Sequence, residues 1–126
     1  MRKILIIDDD MDILETTGAL LEYEGFQILA ADTVEKGMAM IATEAPDLIL
    51  LDIMFPEKKT RGFEAAGEIK AAYPRIPIFV LTAVNREYAF GFTKEDVRAE
   101  EFLSKPVKTD RLVSLIRSYL DRPGKG

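Results

Sequence analysis

Asp47-Leu48-Ile49-Leu50-Leu51-Asp52-Ile53-Met54-Phe55-Pro56 is the stretch that decides the fold. Four aliphatic residues in a row, with acids at both ends and a proline soon after, predict a strand buried on both faces that stops at Asp52. A carboxylate is thus held where a strand leaves the core. One such acid means little, because many strands end in an acid that caps the next turn. The other strand ends give it weight. Lys3-Ile4-Leu5-Ile6-Ile7 is a second aliphatic run and ends in Asp8-Asp9-Asp10; Ile78-Phe79-Val80-Leu81 is a third and ends in Thr82. A weaker run, Phe102-Leu103-Ser104, ends in Lys105-Pro106.

Between these runs the spacing of apolar residues is helical. Met11 to Glu24 carries Ile13, Leu20 and Leu21 on one face, with Gly25 as the C-cap candidate. Gln27-Ile28-Leu29-Ala30-Ala31 reads as a short, weak strand. Asp32-Thr33-Val34-Glu35 resembles a capping signal for a helix that faces Val34, Met38, Ile41 and Ala42 inward and ends at Ala45-Pro46. A loop with Lys58, Lys59, Arg61 and Gly62 precedes a helix built on Phe63, Ala66, Ile69 and Tyr73, before Pro74. From Asn85 to Glu101 the periodicity is poor: Gly91 interrupts it and Thr93-Lys94-Glu95-Asp96 looks like a second helix start, so a short or broken helix is expected. Leu112, Leu115, Ile116 and Tyr119 define the last helix. The chain therefore reads as one domain over residues 1–121 with a flexible tail at 122–126.

Five strands alternating with five helices predict a doubly wound, five-stranded parallel sheet, flavodoxin-like, with helices on both faces. The strongly apolar first, third and fourth strands belong in the middle and the weak second and fifth at the edges, which gives the order 2-1-3-4-5. In a parallel sheet every C-terminal strand end lies on one edge. Asp8, Asp9, Asp52, Thr82 and Lys105 converge there, on the side where open α/β sheets bind ligands.

Composition bounds the chemistry. The 126 residues include no cysteine and no histidine, which removes disulfides, thiol nucleophiles, thiolate or imidazole zinc sites and histidine acid–base catalysis. Carboxylate, hydroxyl and lysine chemistry remain. The formal net charge of −5 offers no basic stripe for phosphate backbones, so direct nucleic-acid binding by this domain is not expected. No apolar run approaches a membrane span and the N-terminus lacks the long apolar region of a secretion signal, so a cytoplasmic protein without membrane contact is expected.

Three carboxylates within a few ångströms repel one another unless a cation neutralises them. A hard divalent ion fits best: Mg²⁺ takes oxygen ligands and keeps several waters, so one or two of these acids and a backbone carbonyl suffice, with a position left for a phosphoryl oxygen. Lys105 suits a second phosphoryl oxygen and the Thr82 hydroxyl a third. The Asp52 carboxylate is then placed to attack phosphorus and form an aspartyl phosphate.

Asp8-Asp9, Asp52 with Pro56 four residues on, Thr82-Ala83 and Lys105-Pro106 together resemble the receiver domain of two-component response regulators, over essentially the whole chain. The resemblance implies that Asp52 is the phosphoacceptor, Asp9 a direct Mg²⁺ ligand and Asp8 a ligand through water, with the Met54 backbone carbonyl completing the protein's share of the metal shell. It implies that Thr82 is the switch hydroxyl, with the small Ala83 leaving room for it, that Lys105 binds the phosphoryl group, and that Phe102 holds the aromatic switch position and moves with Thr82. A sensor histidine kinase or phosphotransfer protein would be the donor and an output domain or protein the target, with a phosphorylation-dependent homodimer among the assemblies open to it. In the family, the side chains two residues after the acceptor and two after the switch threonine govern water attack on the aspartyl phosphate. Here they are Met54 and Val84, both apolar, so a long-lived phosphoprotein is expected.

Two departures stand out. Glu57 to Arg61 reads as a small insertion beside the site, and Arg98-Ala99-Glu100-Glu101 replaces the usual Gly-Ala-Asp before the fifth strand. Three rival readings share parts of this pattern. A flavodoxin-type cofactor binder needs a first loop that welcomes phosphate, which three acids repel. An aspartate-nucleophile phosphatase usually has a second acid two residues after the nucleophile, where this chain has Met54. A receiver-like interaction module that does not use phosphorylation stays open. With no effector domain after the last helix, the chain is expected to be a stand-alone receiver or part of a longer protein.

Overall fold

The five runs become five parallel strands of one sheet: β1 (Lys3–Ile7), β2 (Gln27–Ala31), β3 (Leu48–Asp52), β4 (Ile78–Thr82) and β5 (Glu101–Ser104), in the order β2-β1-β3-β4-β5. They are seen in a computed structural model that describes residues 2–52, 61–82, 99–104 and 107–121. Four helices lie among the described residues: α1 (Met11–Tyr23), α2 (Val34–Glu44), α3 (Arg61–Ala72) and α4 (Thr109–Leu120). The helix expected between Asn85 and Glu101 falls largely outside the described residues.

Strand alternation divides the core in two. Leu5, Ile7, Ile49, Leu51, Ile78 and Val80 face one side and pack with Val34 and Ile41 of α2 and Ala65, Ala66 and Ile69 of α3. Ile4, Ile6, Leu48, Leu50, Phe79 and Leu81 face the other, against Leu14 and Leu21 of α1 and Leu112, Val113, Ile116 and Leu120 of α4. All five residues of β3 are buried, as expected for a central strand covered on both faces.

The helix faces differ in detail from the sequence expectation. On α1 the buried stripe is Leu14, Gly18 and Leu21, while Leu20 is 44% exposed. On α2 it is Val34, Gly37 and Ile41, and Ala42 faces solvent. In both helices a glycine occupies the middle of the stripe, where a side-chain pattern has nothing to register. Gly37 is there because α2 approaches β1 too closely for a side chain: a Cβ at that position would lie 2.5 Å from Cδ1 and 2.8 Å from Cγ1 of Ile7. The loop residues Arg61 and Gly62 belong instead to the first turn of α3, and β5 begins one residue earlier than expected, at Glu101.

The N-terminal edge of the sheet is held by ion pairs and charged hydrogen bonds. The Lys3 backbone N–H donates to Asp47 Oδ2 at 2.7 Å, and its ammonium donates to the Glu44 carbonyl at the end of α2 at 3.0 Å. Lys70 of α3 meets Glu100 at 2.7 Å and donates to the Ile76 carbonyl, while Glu100 Oε1 accepts the Ile78 N–H at 2.7 Å. Tyr119 packs edge-on to Phe79 at 5.2 Å and donates to Glu101 Oε2 at 2.8 Å. Two acids of the unusual segment before β5 thus tie β4, β5, α3 and α4 together. At the end of α1, Gly25 takes a positive φ of 101° and the N–H groups of Gly25 and Phe26 donate to the carbonyls of Glu22 and Leu21. Arg117 of α4 adds a bond to the Glu24 carbonyl at 2.9 Å.

Two helix glycines should therefore respond in opposite ways to the same change. Gly37→Ala gains helix propensity but forces buried Ile7 aside, for a net loss of about 1–2 kcal/mol. At Gly67 of α3 an added Cβ meets nothing within 4 Å, so Gly67→Ala should stabilise by about 0.5–1 kcal/mol. Denaturant midpoints of the two variants, on either side of the native chain, are the check.

Candidate functional site

β1 and β3 are neighbours in a register that pairs Ile7 with Leu51, so Asp8 and Asp52 come next, side by side at the C-terminal edge. Both are buried, at 1% and 4% exposure, in a chain whose other buried side chains among the described residues are hydrophobic. The backbone continues the ladder past β1, with the Asp8 N–H donating to the Ala31 carbonyl at 3.0 Å. Asp8 Oδ1 accepts the Asp10 N–H at 2.9 Å, which sets the orientation of its carboxylate. Asp9 is more exposed and closes the cluster: one carboxylate oxygen from each of Asp8, Asp9 and Asp52 lies within 4.8 Å of the other two.

Like charges at that separation repel by about 3 kcal/mol per pair at an effective dielectric of about 20, a sizeable part of the stability of a small domain. A hard divalent cation offsets this, and the donor set suits one: carboxylate oxygens only, with no softer nitrogen or sulfur ligand in a chain free of histidine and cysteine.

The third acid of the run, Asp10, stays out of this cluster. It is the N-cap of α1, where its carboxylate accepts from the N–H groups of Asp12 at 2.9 Å and Ile13 at 3.3 Å. Thr82 ends β4 one residue beyond Leu81, the partner of Asp52, and pairs with Ser104. Its backbone therefore stands at the same edge as the acids. Phe102 sits opposite Val80, half-buried, and packs on the α2–α3 side of the core. Met54, Ala83, Val84 and Lys105, which the sequence also assigns to the site, lie outside the described residues.

Residues 4–117 match the family profile of the response regulator receiver domain. The chain belongs to this family. Receiver domains are the phosphoacceptor modules of two-component signalling, and they bind Mg²⁺ at an acidic pocket. This receiver domain is 35% identical over 127 residues to the phosphate regulon transcriptional regulatory protein PhoB of Pseudomonas aeruginosa, covering 99% of the chain and 54% of that protein. It is 34% identical over 122 residues to the transcriptional regulatory protein CpxR of Klebsiella pneumoniae, covering 97% and 50%. The chain thus spans about half the length of these curated relatives. A CheY-like receiver domain protein from Methanospirillum hungatei superposes with a TM-score of 0.85 at 30% identity, covering 96% of this chain and 94% of that one. No helix among the described residues is long and apolar enough to cross a membrane.

Sequence reasoning missed two local interactions, one at the site and one at the neighbouring end of β2. One is the Asp10 N–H that grips Asp8, signalled only by an acid two residues before an N-cap. The other is the Asp32–Lys36 pair next to Ala31, spaced i,i+4 and closed at 2.9 Å. The Lys36 ammonium holds the Asp32 carboxyl below the ordinary aspartate range. A lowered value means that this pair favours the folded state at neutral pH, and that the contribution is lost as pH falls through the folded value. Carbon-detected NMR titration should show Asp32 with a depressed midpoint, and Lys36→Gln should move it up toward that of an unpaired aspartate.

Proposed function

We propose that this receiver domain takes a phosphoryl group onto Asp52 with Mg²⁺ bound among Asp8, Asp9 and Asp52, and that the phosphorylated form controls an output partner. The observation that carries this reading is the meeting of three carboxylates, two of them buried, at the C-terminal edge of the sheet. Asp52 is the acceptor: it ends the central strand, buried on both faces, which fixes the backbone that carries its carboxylate. Asp9 would ligate the ion directly, Asp8 through water, and the Met54 carbonyl would complete the protein's ligands. When bound, Mg²⁺ supplies charge neutralisation and orients the phosphoryl oxygens.

In the transfer itself, a carboxylate oxygen of Asp52 forms the new bond to phosphorus while the bond from phosphorus to the donor breaks and the donor leaves with that electron pair. The Thr82 hydroxyl and the Lys105 ammonium bind phosphoryl oxygens, Ala83 leaves them space, and Phe102 follows Thr82 as the switch. A sensor histidine kinase or a phosphotransfer protein supplies the phosphoryl group. The domain assists its own phosphorylation and its own slow hydrolysis and turns over no second substrate. It works in the cytoplasm and leaves any contact with nucleic acid to an output domain or protein, in keeping with its acidic surface. A phosphorylation-dependent homodimer is one form such an output could take.

Intact-mass analysis after acetyl phosphate treatment with Mg²⁺ should show one added phosphoryl group on the native chain and none on Asp52→Asn. Equal labelling of the two, or labelling indifferent to EDTA, would leave the fold as an interaction module that does not use this chemistry.

The lifetime of the product is the second expected outcome. Met54 and Val84 offer no hydrogen bond to an attacking water, and positioning of that kind is worth orders of magnitude in rate. The double substitution Met54→Asn with Val84→Glu should speed loss of phosphate at least about ten-fold, followed by intact mass over time. Decay no faster than in the native chain would assign the rate to other groups.

A further inference from the structure

Asp10 works on two partners at once. Its carboxylate accepts the N–H groups of Asp12 and Ile13, and its carbonyl accepts the Leu14 N–H at 3.0 Å, which opens the ladder of α1. Its own N–H points the other way and donates to Asp8 Oδ1 at 2.9 Å. These bonds are compatible because the residue is extended, with φ −91° and ψ 108°, as an N-cap requires. Drawing residue 10 into the helix would turn ψ by about 150°. Leu14 and Leu21 anchor α1 on the sheet, so that turn would be absorbed by the peptides from Asp8 to Asp10.

We infer that Asp10 is a positioning residue for the metal site: by capping α1 through its side chain it holds its own backbone N–H on Asp8 and so fixes the orientation of a carboxylate it never touches with its own. The inference rests on the Mg²⁺ reading above and adds to it a residue outside the ligand set. It differs from a purely electrostatic role, in which a nearby negative charge draws in the cation. Asparagine separates the two, because it caps a helix as well as aspartate does but carries no charge.

Mg²⁺ alone, titrated into the native chain, Asp10→Asn and Asp10→Ala and followed by the amide shifts of residues 8–10, reads this directly. Asp10→Asn should bind within about two-fold of the native chain and Asp10→Ala about five-fold or more weakly, since a partner that orients a metal ligand typically affects affinity by ten-fold or more and here acts one bond removed. Asp10→Gly costs a helix little as a cap, so it folds even where the alanine variant does not, and, lacking the side chain that holds residue 10 extended, it should bind more weakly than asparagine and no more weakly than alanine. If asparagine weakens binding as much as alanine, and added salt erases the difference, the effect is charge and the inference falls. It also falls if alanine and glycine bind like the native chain, since the cap then does not reach the metal. A native chain whose shifts do not saturate with Mg²⁺ would bring down the metal reading itself, a result distinct from either.

Discussion

Two carboxylates are sealed into the end of a hydrophobic sheet, and the architecture around them is what makes that tolerable. An ionised carboxylate is costly to bury unless hydrogen bonds and opposite charge surround it. Asp8 meets the first requirement through the N–H of Asp10, and the peptide that carries it is tied to Ala31. The second calls for a cation, and the pairing of β1 with β3 gathers the acids that could hold one. Because β1 lies directly beside β3, Asp8 and Asp52 come together from distant parts of the chain, and Asp9, one residue on, turns toward solvent and completes a ring of oxygens. Moving β1 away from β3 would leave two separate buried acids in place of one cluster.

Much of this was legible in the residues. Runs such as Ile49-Leu50-Leu51 between acids and a proline read as strands covered on both sides, and grading the runs by apolar strength placed β1, β3 and β4 in the middle. The acids followed, since parallel strands bring their C-terminal ends to one edge whatever the loops do. The helix faces were harder to read. Their contacts run through Gly18 and Gly37, and a residue without a side chain adds nothing to a hydrophobic pattern even where it makes the closest approach. Arg61 and Gly62 were read as loop for a related reason: glycine usually punctuates, and here it lies inside a first turn.

The start of β5 was hidden for a different cause. Glu100 and Glu101 look like a polar segment that no strand or helix pattern claims. Their partners are the N–H of Ile78, the ammonium of Lys70 and the hydroxyl of Tyr119, each on a different element. Satisfaction of a polar group by long-range partners leaves no periodic trace in a sequence. The same limit applies to Asp10, whose capping role is local and readable while its backbone grip on Asp8 depends on how the turn is folded.

The molecule is polarised from end to end. Among the described residues, charged clamps that join separate elements, Lys3 with Asp47 and Glu44, Lys70 with Glu100, and Arg117 with Glu24, gather at the edge where the strands begin. The clustered acids occupy the edge where they finish. Cohesion and chemistry therefore draw on different residues. A longer loop or a different neighbour at the rim around the acids would leave the seam at the far side physically untouched.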